Sequence, residues 1–141
     1  MADYFTHFSC ALDLPDTALA TAAAELHEAF DDRLRNDEGR TAGFALTAQP
    51  ADNPTQIWIH DDDGQGLPDD VIAFVAELGP ALRLAGFWGF EWAHTCSKPR
   101  LDAFGGGACI IDLATGETHD TISTNEWLTR TLADPHTAGE A

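Results

Sequence analysis

Two segments with helical periodicity, each preceded by a strand-like stretch, constrain the fold of this chain most. In the first, apolar residues recur every three or four positions from Pro15 to about Asn36. In the second, Pro68 stands at the expected first helical position and Pro80 kinks or ends the helix. Strand patterns are found at residues 4–14, 43–48 and 56–60. This order predicts an α+β fold: an antiparallel sheet with two long helices packed on one face, ferredoxin-like in its first part.

The last third of the chain predicts a hairpin and a short helix. Residues 108–113 and 118–122 flank a turn in which Gly116 takes a positive φ. Ser123 and Glu126 match a capping box, which predicts the start of the last helix. The residues that this helix is expected to turn inward are Trp127, Leu128 and Leu132.

Length and composition predict one domain over residues 1–134, followed by a disordered tail over residues 135–141. With 44% hydrophobic residues, eight Phe and four Trp, the chain has enough apolar material for a core. Residues 1–10 lack the basic start and apolar run of a signal peptide, and no stretch approaches the roughly 18 apolar residues of a membrane span. Three cysteines, at no recognised metal or disulfide spacing, predict reduced thiols. The expected compartment is the cytoplasm.

Charge restricts the partners. The formal net charge is −17, with 24 acidic residues and one lysine, Lys98. A field of this sign repels nucleic acid and anionic membranes and accelerates encounters with basic surfaces. We therefore expect a basic protein surface as partner, with no direct binding of nucleic acid or membrane.

The acids cluster where the first helix ends and the second begins, and we expect the two groups at opposite ends of one surface. Such a carboxylate track would compete for a groove that neutralises the DNA backbone. The alternative is an acidic surface adapted to a saline cytoplasm. The acids of these clusters are Asp31, Asp32, Asp37, Glu38, Asp61, Asp62, Asp63, Asp69 and Asp70.

Trp88, Phe90 and Trp92 share one face if their segment is extended. Such a row is typical of a core, but Trp88 and Trp92 are also candidate anchors for a partner. The run Gly105–Gly107 lacks the residues of a phosphate loop, and it indicates a flexible turn or a close approach of backbones.

The sequence contains two candidate metal sites and one candidate catalytic site. An EF-hand register over the acidic loop places Ile59 at the first ligand position, which argues against calcium. A zinc set or a cysteine nucleophile around His94 and Cys96 is the second alternative function, although Cys109 and His119 complete no standard zinc spacing. We expect no metal, no cofactor and no catalytic residue.

The segment Trp88–Gly107, continuing through the turn at 112–117 to Trp127, resembles small uncharacterised acidic proteins of bacterial plasmids and phages. This resemblance implies a mobile-element context and no site residues. In charge alone, the chain is similar to DNA-mimic antirestriction and anti-CRISPR proteins. The sequence therefore favours a small acidic, non-catalytic binding protein that engages a basic surface of a nucleic-acid-handling protein, as a DNA mimic or inhibitor does. The alternative is an ordinary cytosolic domain with a salt-adapted acidic surface.

Overall fold

The computed structural model describes residues 2–101 and 103–138. It is an α+β fold in which every paired strand is antiparallel, which confirms the predicted class. The strands are β1 Tyr4–His7, β2 Ser9–Asp13, β3 Ala45–Ala48, β4 Gln56–His60, β5 Phe87–Cys96, β6 Gly105–Asp112 and β7 Thr118–Ser123. The helices are α1 Thr17–Glu38, α2 Pro68–Ala81, α3 Thr124–Ala133 and the single turn α4 Pro135–Ala138, with a short 3-10 helix at Pro50–Asp52.

The strands form two sheets, and the single ferredoxin-like sheet is not confirmed. One sheet has the order β1-β5-β6-β7 and the other has the order β2-β4-β3. The predicted first strand is divided at Phe8, so that its first half pairs with β5 and its second half with β4. Phe8 is buried, and its amide donates to the Asp61 carboxylate (2.8 Å) instead of to a neighbouring strand. This side-chain bond interrupts the ladder and lets the chain change sheets.

The two long helices begin and end on residues suited to those positions. The Asp16 carboxylate accepts the Leu19 amide (2.8 Å), so α1 starts after Asp16, slightly later than Pro15 suggested. Gly39 closes α1 with a φ of 68°, a conformation that glycine adopts without strain. Helix α2 starts at Pro68 as predicted, and Pro80 lies in its last turn.

One hydrophobic core is shared by both sheets and both long helices. Helix α1 packs on β3 and β4, α2 packs on β6, and the two helices contact each other. The largest fully buried side chains are Phe74, Ile57, Ile59, Leu78, Ile111, Val71, Val75 and Cys109.

Helix α3 differs from the prediction. Ser123 does cap it, with its hydroxyl accepting the Glu126 amide (3.4 Å). However, Trp127, Leu128 and Leu132 are 53%, 51% and 59% exposed, so the expectation that they turn inward was wrong. The helix follows β7, the edge strand of its sheet, and it lies outside the shared core.

The C-terminal segment and the glycine run also differ in part from their predictions. Pro135–Ala138 form a helical turn where a disordered tail was expected, and residues 139–141 lie outside the described residues. Gly105–Gly107 belong to β6 and are not a flexible turn. A Cβ on Gly107 would overlap the Trp92 ring, so the close-approach interpretation is the one that the structure favours.

Candidate functional site

The two acidic clusters lie side by side, not at opposite ends of a surface. Arg40, just after α1, links them: its guanidinium contacts Glu38 (3.4 Å) and binds Asp70 at the start of α2 through two bonds of 2.6 and 3.1 Å. Residues 41–44 then run past the acidic loop and line, with Asp62 and Asp63, a surface pocket of about 240 Å³. The end of α1 and the start of α2 therefore form one acidic end of the molecule.

Two of the clustered acids hold this end together. Asp70 is buried, and besides Arg40 it accepts the Gly43 amide (2.8 Å). The hydrogen bond with Asp70 raises the pKa of Arg40 above its usual range, against a smaller opposing effect of burial. Asp31 accepts the Ala42 amide (2.7 Å) and forms an ion pair with Arg35 (2.8 Å). These carboxylates fix the connection after α1 and are already engaged within the chain.

Asp61 has a similar role in the loop after β4. It accepts the amides of Phe8 (2.8 Å) and Gly64 (2.9 Å), and it contacts His7 Nδ1 (3.3 Å). Burial acts to raise the pKa of Asp61, but these hydrogen bonds outweigh it and lower the pKa below its ordinary value. Asp61 thus closes the loop onto the chain between β1 and β2.

The other clustered acids are exposed. Asp32 is 3.8 Å from Arg35, and Glu38 is the partner of Arg40 already named. Asp37, Asp62, Asp63 and Asp69 make no ion pair or side-chain hydrogen bond with the described part of the chain. Of the nine predicted acids, these exposed ones are therefore able to meet an external cation.

The predicted aromatic row is formed on β5. The rings of Trp88 and Phe90 stack with centroids 5.4 Å apart, and those of Phe90 and Trp92 are 5.3 Å apart. Phe90 is buried, while Trp88 and Trp92 are half-buried and pack against the core. The Trp88 indole also donates to the Ala11 carbonyl (2.9 Å), which ties the two sheets together. Trp88 is thereby engaged inside the fold, and Trp92 is the member of the row that reaches surface cavities.

Trp92 lies between two cavities. One, of about 220 Å³, is lined by Trp92 and His94 together with the start of α2 at Leu67–Asp69. The other, of about 310 Å³, opens where β1 turns away from β5, and we call it the sheet-junction cleft. Its lining residues are His7, Phe8, Ser9, Asp61, Glu91, Trp92 and Ala93.

Glu91 and His7 are not among the residues predicted from the sequence. The pattern of residues 4–14 carried no sign that the strand divides, and the cleft depends on this division. His7 also contacts the Thr95 hydroxyl (3.2 Å) through Nε2, so a chain of polar contacts runs from Asp61 through His7 to β5. These contacts fix the wall of the cleft.

The four candidate zinc ligands His94, Cys96, Cys109 and His119 do not form one cluster in the described structure. His94 and Cys96 share a face of β5, with His94 Nδ1 bonded to the Thr6 hydroxyl (2.9 Å). Cys109 is buried in β6, where it accepts a bond from the Thr121 hydroxyl (3.5 Å). His119 packs on Phe87 at the other end of β5, with ring centroids 5.0 Å apart. His94 lies seven positions after Phe87 along the strand, which corresponds to roughly 23 Å.

Within residues 2–101 and 103–138, no three or more His, Cys, Asp or Glu side chains are grouped so that they could hold a metal ion. None of the described helices is both long and apolar enough to cross a bilayer. Comparison with protein-family models, curated proteins and solved structures found no match to this chain.

Proposed function

We propose that this protein is a small, non-catalytic binding protein that engages a basic surface on a nucleic-acid-handling protein, in the manner of a DNA mimic or inhibitor. The observation that carries the proposal is the acidic end of the molecule, where exposed carboxylates from the end of α1 and the start of α2 meet around residues 40–44. A net charge of −17 would steer such a partner towards this end. The protein would act in the cytoplasm.

The internal bonds of this end support the proposal. Asp31, Asp61 and Asp70 hold their loops through backbone amides, so the neighbouring free carboxylates are presented on a fixed framework. Fixed charges lose less conformational entropy on binding than mobile ones. A basic groove that neutralises phosphates would meet preorganised negative charge here.

The test measures capture and its salt dependence. The immobilised protein is exposed to a cell lysate at low salt, bound proteins are eluted in salt steps, and excess duplex DNA is added as competitor. We expect a basic protein that DNA displaces. In the test variant, each exposed acid is replaced by its amide, while Asp31, Asp61 and Asp70 are kept. The replaced residues are Asp32, Asp37, Glu38, Asp62, Asp63 and Asp69.

A control variant loses the same amount of charge away from the acidic end. Its replaced residues are Asp3, Glu25, Asp52, Glu117, Asp120 and Glu126. The test variant should lose capture and show a flatter salt dependence, whereas the control should retain most of it. Equal loss in both variants, or capture that DNA leaves unchanged, would reject the proposed surface.

A salt-adapted domain is the second candidate, and one observation favours it. Exposed acids also lie outside the two acidic clusters, for example Glu25 and Glu28 on α1, Glu91 on β5 and Asp120 on β7. If charge serves solubility in a saline cytoplasm, the melting temperature should rise steeply from low to molar KCl as repulsion is screened. A melting temperature that is indifferent to KCl would reject this candidate.

A further inference from the structure

The two edges of the four-stranded sheet differ. On the β1 edge, the Thr6 amide donates to the Gly64 carbonyl (2.8 Å) and the Thr6 carbonyl accepts the Gly66 amide (3.1 Å), so the loop after β4 covers this strand. On the opposite edge, β7 pairs with β6, and no other described residue forms a backbone hydrogen bond with β7 on its outer side. The strand contains neither proline nor lysine. Such an edge can accept a further strand.

The segment around this edge is also poorly covered by the rest of the fold. Five of the six residues of β7 are exposed, among them Ile122. Helix α3 follows directly, and its exposed Trp127, Leu128 and Leu132 lie within one stripe of the helix. With ten residues, α3 is shorter than a helix that is stable by itself in water. An apolar cover from outside would therefore stabilise both elements.

The exposed apolar area is of the size that a dimer needs. Ile122, Trp127, Leu128 and Leu132 are each about half exposed, which amounts to roughly 400 Å² at about 200 Å² for a fully exposed large residue. A stable interface of standard size buries about 800 Å² on each partner, of which the core is apolar and the rim polar. The four residues would form such a core, and the polar residues of β7 and α3 would form its rim.

The local charge favours a second copy of this chain over a basic partner. Residues 118–133 contain two acids, Asp120 and Glu126, and one arginine, Arg130, so their formal net charge is −1 out of −17. A basic partner is drawn to the acidic end, where the carboxylates are concentrated. Two copies repel each other, and this repulsion is weakest where the local charge is lowest.

We propose that two copies of this chain pair through their β7 strands, antiparallel and across a twofold axis, to form one continuous eight-stranded sheet. The edge of a strand is complementary to itself in this arrangement, since both copies present the same alternation of N–H and C=O groups. Each α3 then begins beside the start of the second copy's β7. The outer edges of the joined sheet are the two β1 strands, which are covered by Gly64–Gly66, so this pairing ends at two copies.

Sedimentation velocity of the whole chain, from micromolar to millimolar concentration and from low to molar KCl, tests the proposal. We expect monomers at low salt and a monomer–dimer equilibrium at molar KCl, because salt screens the repulsion between two chains of charge −17. Capture of a basic partner should respond to KCl in the opposite direction, so the two proposals can fail separately. A monomer under all these conditions, or species larger than a dimer, would overturn the pairing.

Hydrogen exchange locates the contact in the wild type. Alternate amides of β7 point away from β6, and they should become protected as the dimer forms. We expect protection that rises with protein concentration at β7 and α3. Concentration-dependent protection elsewhere without any at β7 would overturn the proposed seam.

Ile122→Glu is the test variant, because it places a like charge from each copy beside the seam. It should weaken dimerisation about tenfold or more, while circular dichroism shows an unchanged fold. Leu101→Glu is the matched control: it adds the same charge at a residue that is 96% exposed in the loop between β5 and β6, and it should change the affinity by less than about twofold. Equal weakening by both variants would assign the effect to net charge and overturn the seam.

Discussion

Replacing Asp61 by alanine should destabilise the protein although this residue belongs to a cluster of acids. The Asp61 carboxylate accepts the amides of Phe8 and Gly64 at 2.8 and 2.9 Å. Alanine leaves both amides without their partner, and each buried unsatisfied group costs about 1–3 kcal/mol. Because 17% of the Asp61 side chain is exposed, water can reach the two amides in the variant and partly replaces the lost carboxylate. We therefore expect a loss of about 2–4 kcal/mol in the free energy of unfolding.

The assay is urea unfolding at pH 7, followed by circular dichroism, with Asp62→Ala as the control. Asp62 is exposed and its side chain has no partner in the described structure, so its replacement should change the free energy of unfolding by less than about 0.5 kcal/mol. A loss below about 1 kcal/mol for Asp61→Ala, with an unchanged m value, would refute the reasoning, because water would then satisfy both amides.

The same site predicts a dependence on pH. Because the folded-state pKa of Asp61 is lowered from its ordinary value of 3.8, its stabilising effect is present above that value and is lost as the pH falls through the folded pKa. The wild type should thus lose more stability than Asp61→Asn below about pH 4. Parallel pH profiles for the two proteins would contradict this assignment.

The remaining predictions concern the aromatic row, the glycine strand and one thiol. Phe90→Ala should lower the free energy of unfolding, measured in urea, by about 3–5 kcal/mol, because Phe90 is buried in the core. Trp127→Ala on the exposed helix α3 should lower it by less than about 1 kcal/mol. Similar losses for the two variants would contradict this difference in burial. Gly107→Ala should cost about 1–3 kcal/mol and shift the indole N–H signal of Trp92, because the new methyl group meets that ring; an unmoved signal would contradict this. Burial raises the pKa of Cys10 to about 12 from an ordinary value of 9.0, so stability should fall as the pH rises from 9.0 towards 12, and Cys10→Ala should flatten that fall. Rapid alkylation of Cys10 in the folded protein at pH 9, measured by mass spectrometry, would contradict the raised pKa of this thiol.

The sequence predicted the elements better than their assembly. Helical periodicity and the prolines located α1 and α2, because a buried stripe must recur with the period of the helix. The division of the first strand at Phe8 was not predictable from alternation, since both halves keep a strand pattern and the change depends on a bond to Asp61, 53 residues away. The error at α3 has a related cause: Trp127 belongs to an amphipathic pattern, but no pattern shows whether another layer covers it.

The candidate site was predicted in composition and not in geometry. Charge identified the acidic residues, but it gave all of them one role. The structure separates them by their partners. Asp70 accepts hydrogen bonds from the Arg40 guanidinium and the Gly43 amide, whereas its neighbour Asp69 is exposed. Adjacent residues at a helix start point in different directions, so a difference of one position decides between a structural and a free carboxylate.

This separation changes how the charge of the molecule should be tested. If all nine clustered acids were neutralised together, loss of binding would follow from unfolding as readily as from lost complementarity, because Asp31, Asp61 and Asp70 are bound to backbone amides. Neutralising only the exposed acids removes repulsion and leaves those bonds intact, so the variant should be as stable as the wild type or more stable at low salt. A protein that gains stability and loses its partner at the same time would show that its acidic end serves binding at the expense of folding.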